Sequence, residues 1–101
     1  MPSSKINGNN IDPFYKMKQI KITLPSTGWS SSAPYTQSIA VPGITESNIV
    51  QCSPEPIQSN IMAVSDSMTI ATAQAVNSLI FTAFESKPTI DLKFNLLVGG
   101  E

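Results

Sequence analysis

The sequence predicts an all-β fold: a small antiparallel β-sandwich with one short helical turn and an extended N-terminal arm. Three observations carry this expectation. Apolar and polar residues alternate at period two in several segments. Turn signals recur at roughly the 8–12-residue spacing of sandwiches and barrels. Ser, Thr, Asn and Gln stand where charge is usual, since charged residues make up only 13% of the chain. At 101 residues the chain suits one domain, with a core modest enough that self-association would help its stability.

Residues 1–18 read as an arm. Ser3 to Asn10 is turn-rich and has no period, so it is not expected to fold alone. Ile11, Phe14, Tyr15 and Met17 are apolar enough to dock. They form either a strap over the domain's own core or an anchor onto a neighbouring subunit, and the residues leave both readings open. Residues 19–101 form the β-domain. Ile20, Ile22 and Leu24 alternate with Lys21 and Thr23 as in a half-buried strand, which Pro25 and Gly28 end. Tyr35, Gln37, Ile39 and Val41 define a second strand, stopped by Pro42-Gly43. A third spans Ile49 to Ser53, bounded by Pro54 and Pro56.

Ile57, Ile61 and Val64 sit at helical spacing behind Pro56, which predicts a short helix or helical turn over residues 57–66. Met68 to Val76 reads as a strand despite its alanines, and Asn77-Ser78 as a tight turn. Leu79 to Phe84 is apolar on both faces and is therefore expected in the centre of a sheet. In the last strand Ile90, Leu92, Phe94, Leu96 and Val98 point one way and Asp91, Lys93 and Asn95 the other. Gly99-Gly100 ends it.

The composition narrows the chemistry. All six basic residues are Lys, with no His and no Arg. That removes the usual general base near neutral pH and the planar fork for phosphate or carboxylate. No enzymatic activity is expected, and no cofactor. The net charge of −1 argues against nucleic-acid binding, which requires clustered cations; Lys5, Lys16, Lys18 and Lys21 read as a solvated surface. Cys52 is the only cysteine and reads as a small buried thiol. The polar start Met1 to Lys5 lacks the apolar core of a signal peptide, and no apolar run reaches the length of a membrane span. Synthesis and folding in a cytoplasm, without membrane association, are the expectation.

The phrase Gly28-Trp29-Ser30-Ser31-Ser32-Ala33-Pro34-Tyr35-Thr36-Gln37, leading into Ser38 to Val41 and Pro42-Gly43, resembles a module of phage and prophage structural proteins from Gram-positive hosts. These are tail-fibre, head-fibre and minor virion proteins. Phe81-Thr82-Ala83, Lys87-Pro88 and Ile90 to Leu96 look like that module's closing strands, and the likeness spans about residues 19–98. It implies a small β-sandwich, assembly on a virion with other virion proteins, and homo-oligomers, of which trimers are favoured. Residues 1–18 lie outside it.

Physically, Gly28 permits a tight turn, Ser30 to Ser32 make a polar loop, and Pro34 stiffens the return into the strand. Trp29 and Tyr35 are amphipathic anchors at the two ends of that loop. They could stack on a host-surface glycan, close the end of the sandwich core, or sit between subunits. The seven acidic residues are scattered along the chain, so neither a glycosidase pair nor a cation loop stands out. No metal-ligand spacing appears. Ala71, Ala73 and Ala75 alternate as small residues that would let another sheet approach, within the monomer or between subunits. The expected function is structural, as a fibre, decoration or minor head or tail component of a virion. The alternative is a receptor-binding module of a phage appendage.

Overall fold

The alternation of apolar side chains sets the strands, and they pair as two antiparallel sheets. The computed structural model describes residues 17–99, so the readings for Ile11, Phe14 and Tyr15 lie outside the described residues. In chain order the elements are β1 (Lys18–Leu24), β2 (Tyr35–Ala40), β3 (Ile49–Pro54), α1 (Gln58–Ser67), β4 (Thr69–Ala75), β5 (Ser78–Ala83) and β6 (Leu92–Gly99). One sheet has the order β1-β6-β3 and the other β2-β5-β4.

β6 is the axis of the first sheet. Leu92 faces Leu24, Phe94 faces Ile22 and Leu96 faces Ile20 on one side; Val98 faces Val50 and Leu96 faces Cys52 on the other. Leu92, Phe94, Leu96 and Val98 are buried while Lys93 and Leu97 are exposed, as period-two alternation requires. β5 is central in the second sheet, between β2 and β4, in keeping with its two apolar faces. Leu79, Phe81 and Ala83 point inward and join β6 in a single core with Trp29, Val41 and Ile44. The Phe81 and Phe94 rings meet across the sandwich, 5.0 Å between centroids and tilted by 41°, within the favourable range for aromatic pairs.

Several details depart from the sequence reading. Ile90 is exposed and precedes the strand; the adjoining Asp91 carboxylate instead accepts the Ser26 N–H at 2.9 Å. Phe84 falls just beyond β5 and is exposed. The β4–β5 hairpin turns on Val76-Asn77 rather than Asn77-Ser78, because Asn77 takes the left-handed conformation (φ 62°) that such a turn needs and Asn tolerates. Asn77 also accepts from Gly43 N through Oδ1 at 2.8 Å and from Val41 N through its carbonyl at 2.9 Å, which ties this hairpin to the end of β2. A bulge between Ala71 and Ala73 splits the alanine series. Ala71 pairs with inward Phe81, whereas Ala73 pairs with Ile80.

The helix is a full ten residues rather than a turn, and its fully buried side chains are polar, with Ala63 and Val64 partly buried against the core beside them. Ile57 and Ile61 are exposed, whereas Asn60 and Ser67 are buried. The reason lies where β3 stops at Pro54. The Lys93 N–H of β6 loses its ladder partner there and donates instead to Asn60 Oδ1 at 2.8 Å, while Lys93 O accepts from both Glu55 N and Asn60 Nδ2 at 2.9 Å. Ser67 Oγ donates back to Ala63 O at 2.7 Å and lies 2.6 Å from Thr69 Oγ1. Asn60 and Ser67 are tolerated inside because each finds a partner.

Candidate functional site

The distinctive phrase folds into the loop between β1 and β2, and most of it works to hold that loop closed. Gly28 N donates to Pro25 O at 3.0 Å. A methyl group at Gly28 would collide with the Gln37 carboxamide, which is buried and donates to Pro25 O at 3.2 Å. Ser30 N donates to Thr36 O at 2.9 Å and Thr36 N to Ser30 Oγ at 3.0 Å, so the loop is cross-tied at its neck. Ser31, Ser32, Ala33 and Pro34 at its tip form a continuous exposed run.

Of the two aromatic candidates, Trp29 is 6% exposed and belongs to the core. Its ring face is not offered to solvent, so a sugar could not stack on it in this conformation. Tyr35 is half-buried against the same core, and Lys87 Nζ stands 5.9 Å from its ring centroid, a cation–π distance. The two residues thus meet the sandwich core rather than form a projecting aromatic platform. Met17 is the one described residue of the arm's apolar set. Its side chain lies over Gly99, with Cγ 2.8 Å from where a Cβ would sit there. At that point the chain packs on its own β6.

Cys52 lines an open cleft of about 310 Å³ between β3 and β4, with Val50, Ala71, Thr72, Ala73, Gln74 and Leu79. Burial pushes its thiol pKa above the ordinary 9.0, so it is protonated near neutral pH and a weak nucleophile. Gln74 crosses the end of the cleft, donating to Thr45 O at 2.6 Å and Asn48 O at 3.0 Å. Asn48 Oδ1 in turn accepts from Thr45 N at 2.7 Å, which makes residues 45–48 the polar turn the sequence suggests. Among the described residues no three His, Cys, Asp or Glu side chains are grouped to hold a metal ion.

The feature that reading strand by strand missed is a difference between the two outer faces. Register places Lys21 of β1 and Lys93 of β6 outward on the first sheet, on either side of Asn95. β2, β4 and β5 contain no charged residue at all. Their outer face carries Thr36 and Ser38, Ile80 and Thr82, and Ile70 and Ala73. Met68 and Phe84 flank one corner, joined by Phe84 N to Met68 O at 3.2 Å. The charge count of each strand was legible in the sequence; which strands share a sheet was not. No family model, no curated protein and no solved structure matches the chain.

Proposed function

We propose that this protein is a structural component of a bacteriophage virion, a fibre, decoration or minor head or tail part, that joins its neighbours through its β-domain and performs no catalysis. The observation that carries the reading is the Gly28-to-Gln37 phrase and its likeness to phage structural modules, together with the self-contained loop it builds. The absence of His and Arg from the whole sequence and a sandwich with one uncharged outer face support a holding role over a chemical one. The receptor-binding alternative is the weaker reading, because Trp29 is committed to the core.

Purified particles from a lysate of the encoding prophage or phage provide the test. Peptides of this chain should band with intact particles through a density gradient and survive a salt wash. Their confinement to the soluble fraction would overturn the proposal. Glycan binding by the wild type that is lost in a folded Tyr35→Ala variant would instead favour the receptor reading.

A further inference from the structure

We infer that the free edge of β3 is a pairing site for the β3 of a second copy, so that two sandwiches join edge to edge in one continuous sheet. This names the edge by which the reading above has the β-domain join its neighbours, and it can stand or fall without the virion context.

The ladder shows which peptide groups are free. Lys93 O accepts from Glu55 N at 2.9 Å and Gly99 O from Asn48 Nδ2 at 3.3 Å, so both carbonyls turn toward the β3 side. Alternate residues of an antiparallel strand turn their N–H and C=O to the same neighbour. Asn95 and Leu97 therefore bond to Ser53 and Gln51, their register partners. The N–H and C=O of Val50 and Cys52 point the other way, where β3 has no neighbour in its sheet.

The other three sheet edges are blunted in ways that discourage pairing. β1 carries Lys18 and Lys21. On β2, both peptide groups of Thr36 are taken by Ser30, at 2.9 and 3.0 Å. β4 is broken by the bulge between Ala71 and Ala73, which spoils the spacing that a guest strand must match. β3 has no charged residue and an unbroken register with β6. Its one stop is Pro54, at its last position.

What the edge offers fixes its partner. The usable stretch ends at Pro54, which has no N–H to give, and at Asn48, whose carbonyl already accepts from Gln74 Nε2 at 3.0 Å. A two-fold axis at Gln51 sets Val50 against Cys52 of the second copy and Cys52 against its Val50, and every free N–H and C=O of these residues is then paired. An axis at Cys52 would oppose Val50 to Pro54, and one at Val50 would oppose Cys52 to the engaged Asn48. The side chains agree with the first register. Val50 and Cys52 turn inward at the rim of the cleft, half-buried, and meet an identical apolar pair. The outward Gln51 meets another Gln51, whose carboxamide both donates and accepts. Ile49, 56% exposed, comes to lie beside the second copy's Ser53. An isologous contact requires this reciprocity.

The contact is small. Five paired residues run about 17 Å along an edge about 10 Å deep, far below the roughly 800 Å² per partner of a standard interface. The association is accordingly weak, and a covalent trap reads it better than affinity does.

Cross-linking by mild oxidation of the full chain at about 1 mM tests it, in a Cys52→Ser background with folding checked by circular dichroism. Across the axis the two Gln51 Cα atoms stand about 4.5 Å apart, within disulfide reach, so Gln51→Cys should give a disulfide dimer. Ser53→Cys is equally exposed, but its two copies stand about 13 Å apart along the strands, and it should cross-link at least 10-fold more slowly. Without oxidant, Gln51→Lys should weaken self-association of the otherwise wild-type chain by about 10-fold, because it opposes like charges directly, whereas Ile70→Lys on the other sheet should not. No cross-link from folded Gln51→Cys would overturn the inference, as would equal rates at the two positions. Cross-linking seen only after removal of residues 1–16 would mean that the chain's own arm holds the edge, and would overturn it too. Absence of the chain from particles would remove the virion reading and leave this pairing standing.

Discussion

Trp29 shows how one side chain can carry a distinctive sequence and still have an inward task. Its ring fills the core beside the β1–β2 loop, and a buried indole removes more apolar area from water than most other side chains do. Trp29→Ala should cost about 3–5 kcal/mol of unfolding free energy, measured by urea denaturation; a loss below about 1 kcal/mol would contradict its core position. As the only tryptophan, it also supplies the fluorescence signal that follows unfolding of the wild type. Cys52 gives a pH-dependent counterpart. Burial disfavours its thiolate and raises its pKa above 9.0, so the folded state holds that proton more tightly than the unfolded one. The stability from keeping the thiol neutral is full below the unfolded pKa and is lost as pH rises through the raised folded value. Stability should therefore fall as pH rises above about 9 by more in wild type than in Cys52→Ser, compared in parallel denaturation series. Iodoacetamide should correspondingly label the folded protein more slowly at pH 8 than the urea-unfolded chain.

At the scale of elements, the strands were legible and the helix only half so. Period-two runs located β1, β2 and β6 because each buries one face in the shared core, where a one-residue slip would turn that face to water, and β5 was located by its two apolar faces. The spacing of Ile57, Ile61 and Val64 found the helix, but of these only Val64 packs against the core. Counting apolar residues cannot reveal that Asn60 stands in for a peptide group beside Lys93. The uncharged outer face was equally hidden, since pairing joins β2 to β5 across 38 residues or more of chain. Asn60→Ala would leave the Lys93 N–H without a partner, while the Lys93 C=O keeps the Glu55 N–H, and should cost about 1–3 kcal/mol. Asn60→Asp should cost less than Asn60→Ala only in acid, where a protonated carboxyl can still donate. The helix start offers the reverse experiment. Ile57 has the extended backbone of an N-cap (φ −117°, ψ 128°) but no capping side chain, and it is exposed. Ile57→Asp should add about 1 kcal/mol, read as a higher denaturation midpoint.

The whole molecule divides into a lysine-bearing sheet and a charge-free one around a single core. The core makes the two sheets interdependent, because Phe94 of one meets Phe81 of the other and the inner faces of both form one cluster. Removing residues 92–101 should therefore abolish folding altogether rather than leave a smaller stable unit. Circular dichroism and amide dispersion in NMR spectra would check this, and a cooperative thermal transition in the truncated chain would refute it. The same division explains why the function was less legible than the fold. Alternation reports which side of a strand is wet, whereas the character of an outer surface depends on which strands register places together.

The place of β6 in the chain has a consequence for how the protein is made. β1 emerges first from the ribosome and β6 after every other strand, yet β1 and β3 pair only through β6. During synthesis β4 and β5 can close their short hairpin at once, while β1 waits, without its partner, for the rest of the chain. The nascent protein thus carries an open apolar sheet face until β6 has emerged. Its yield should be governed by what shields that face in those seconds, and synthesis at lower temperature or alongside a holding chaperone should favour the soluble form.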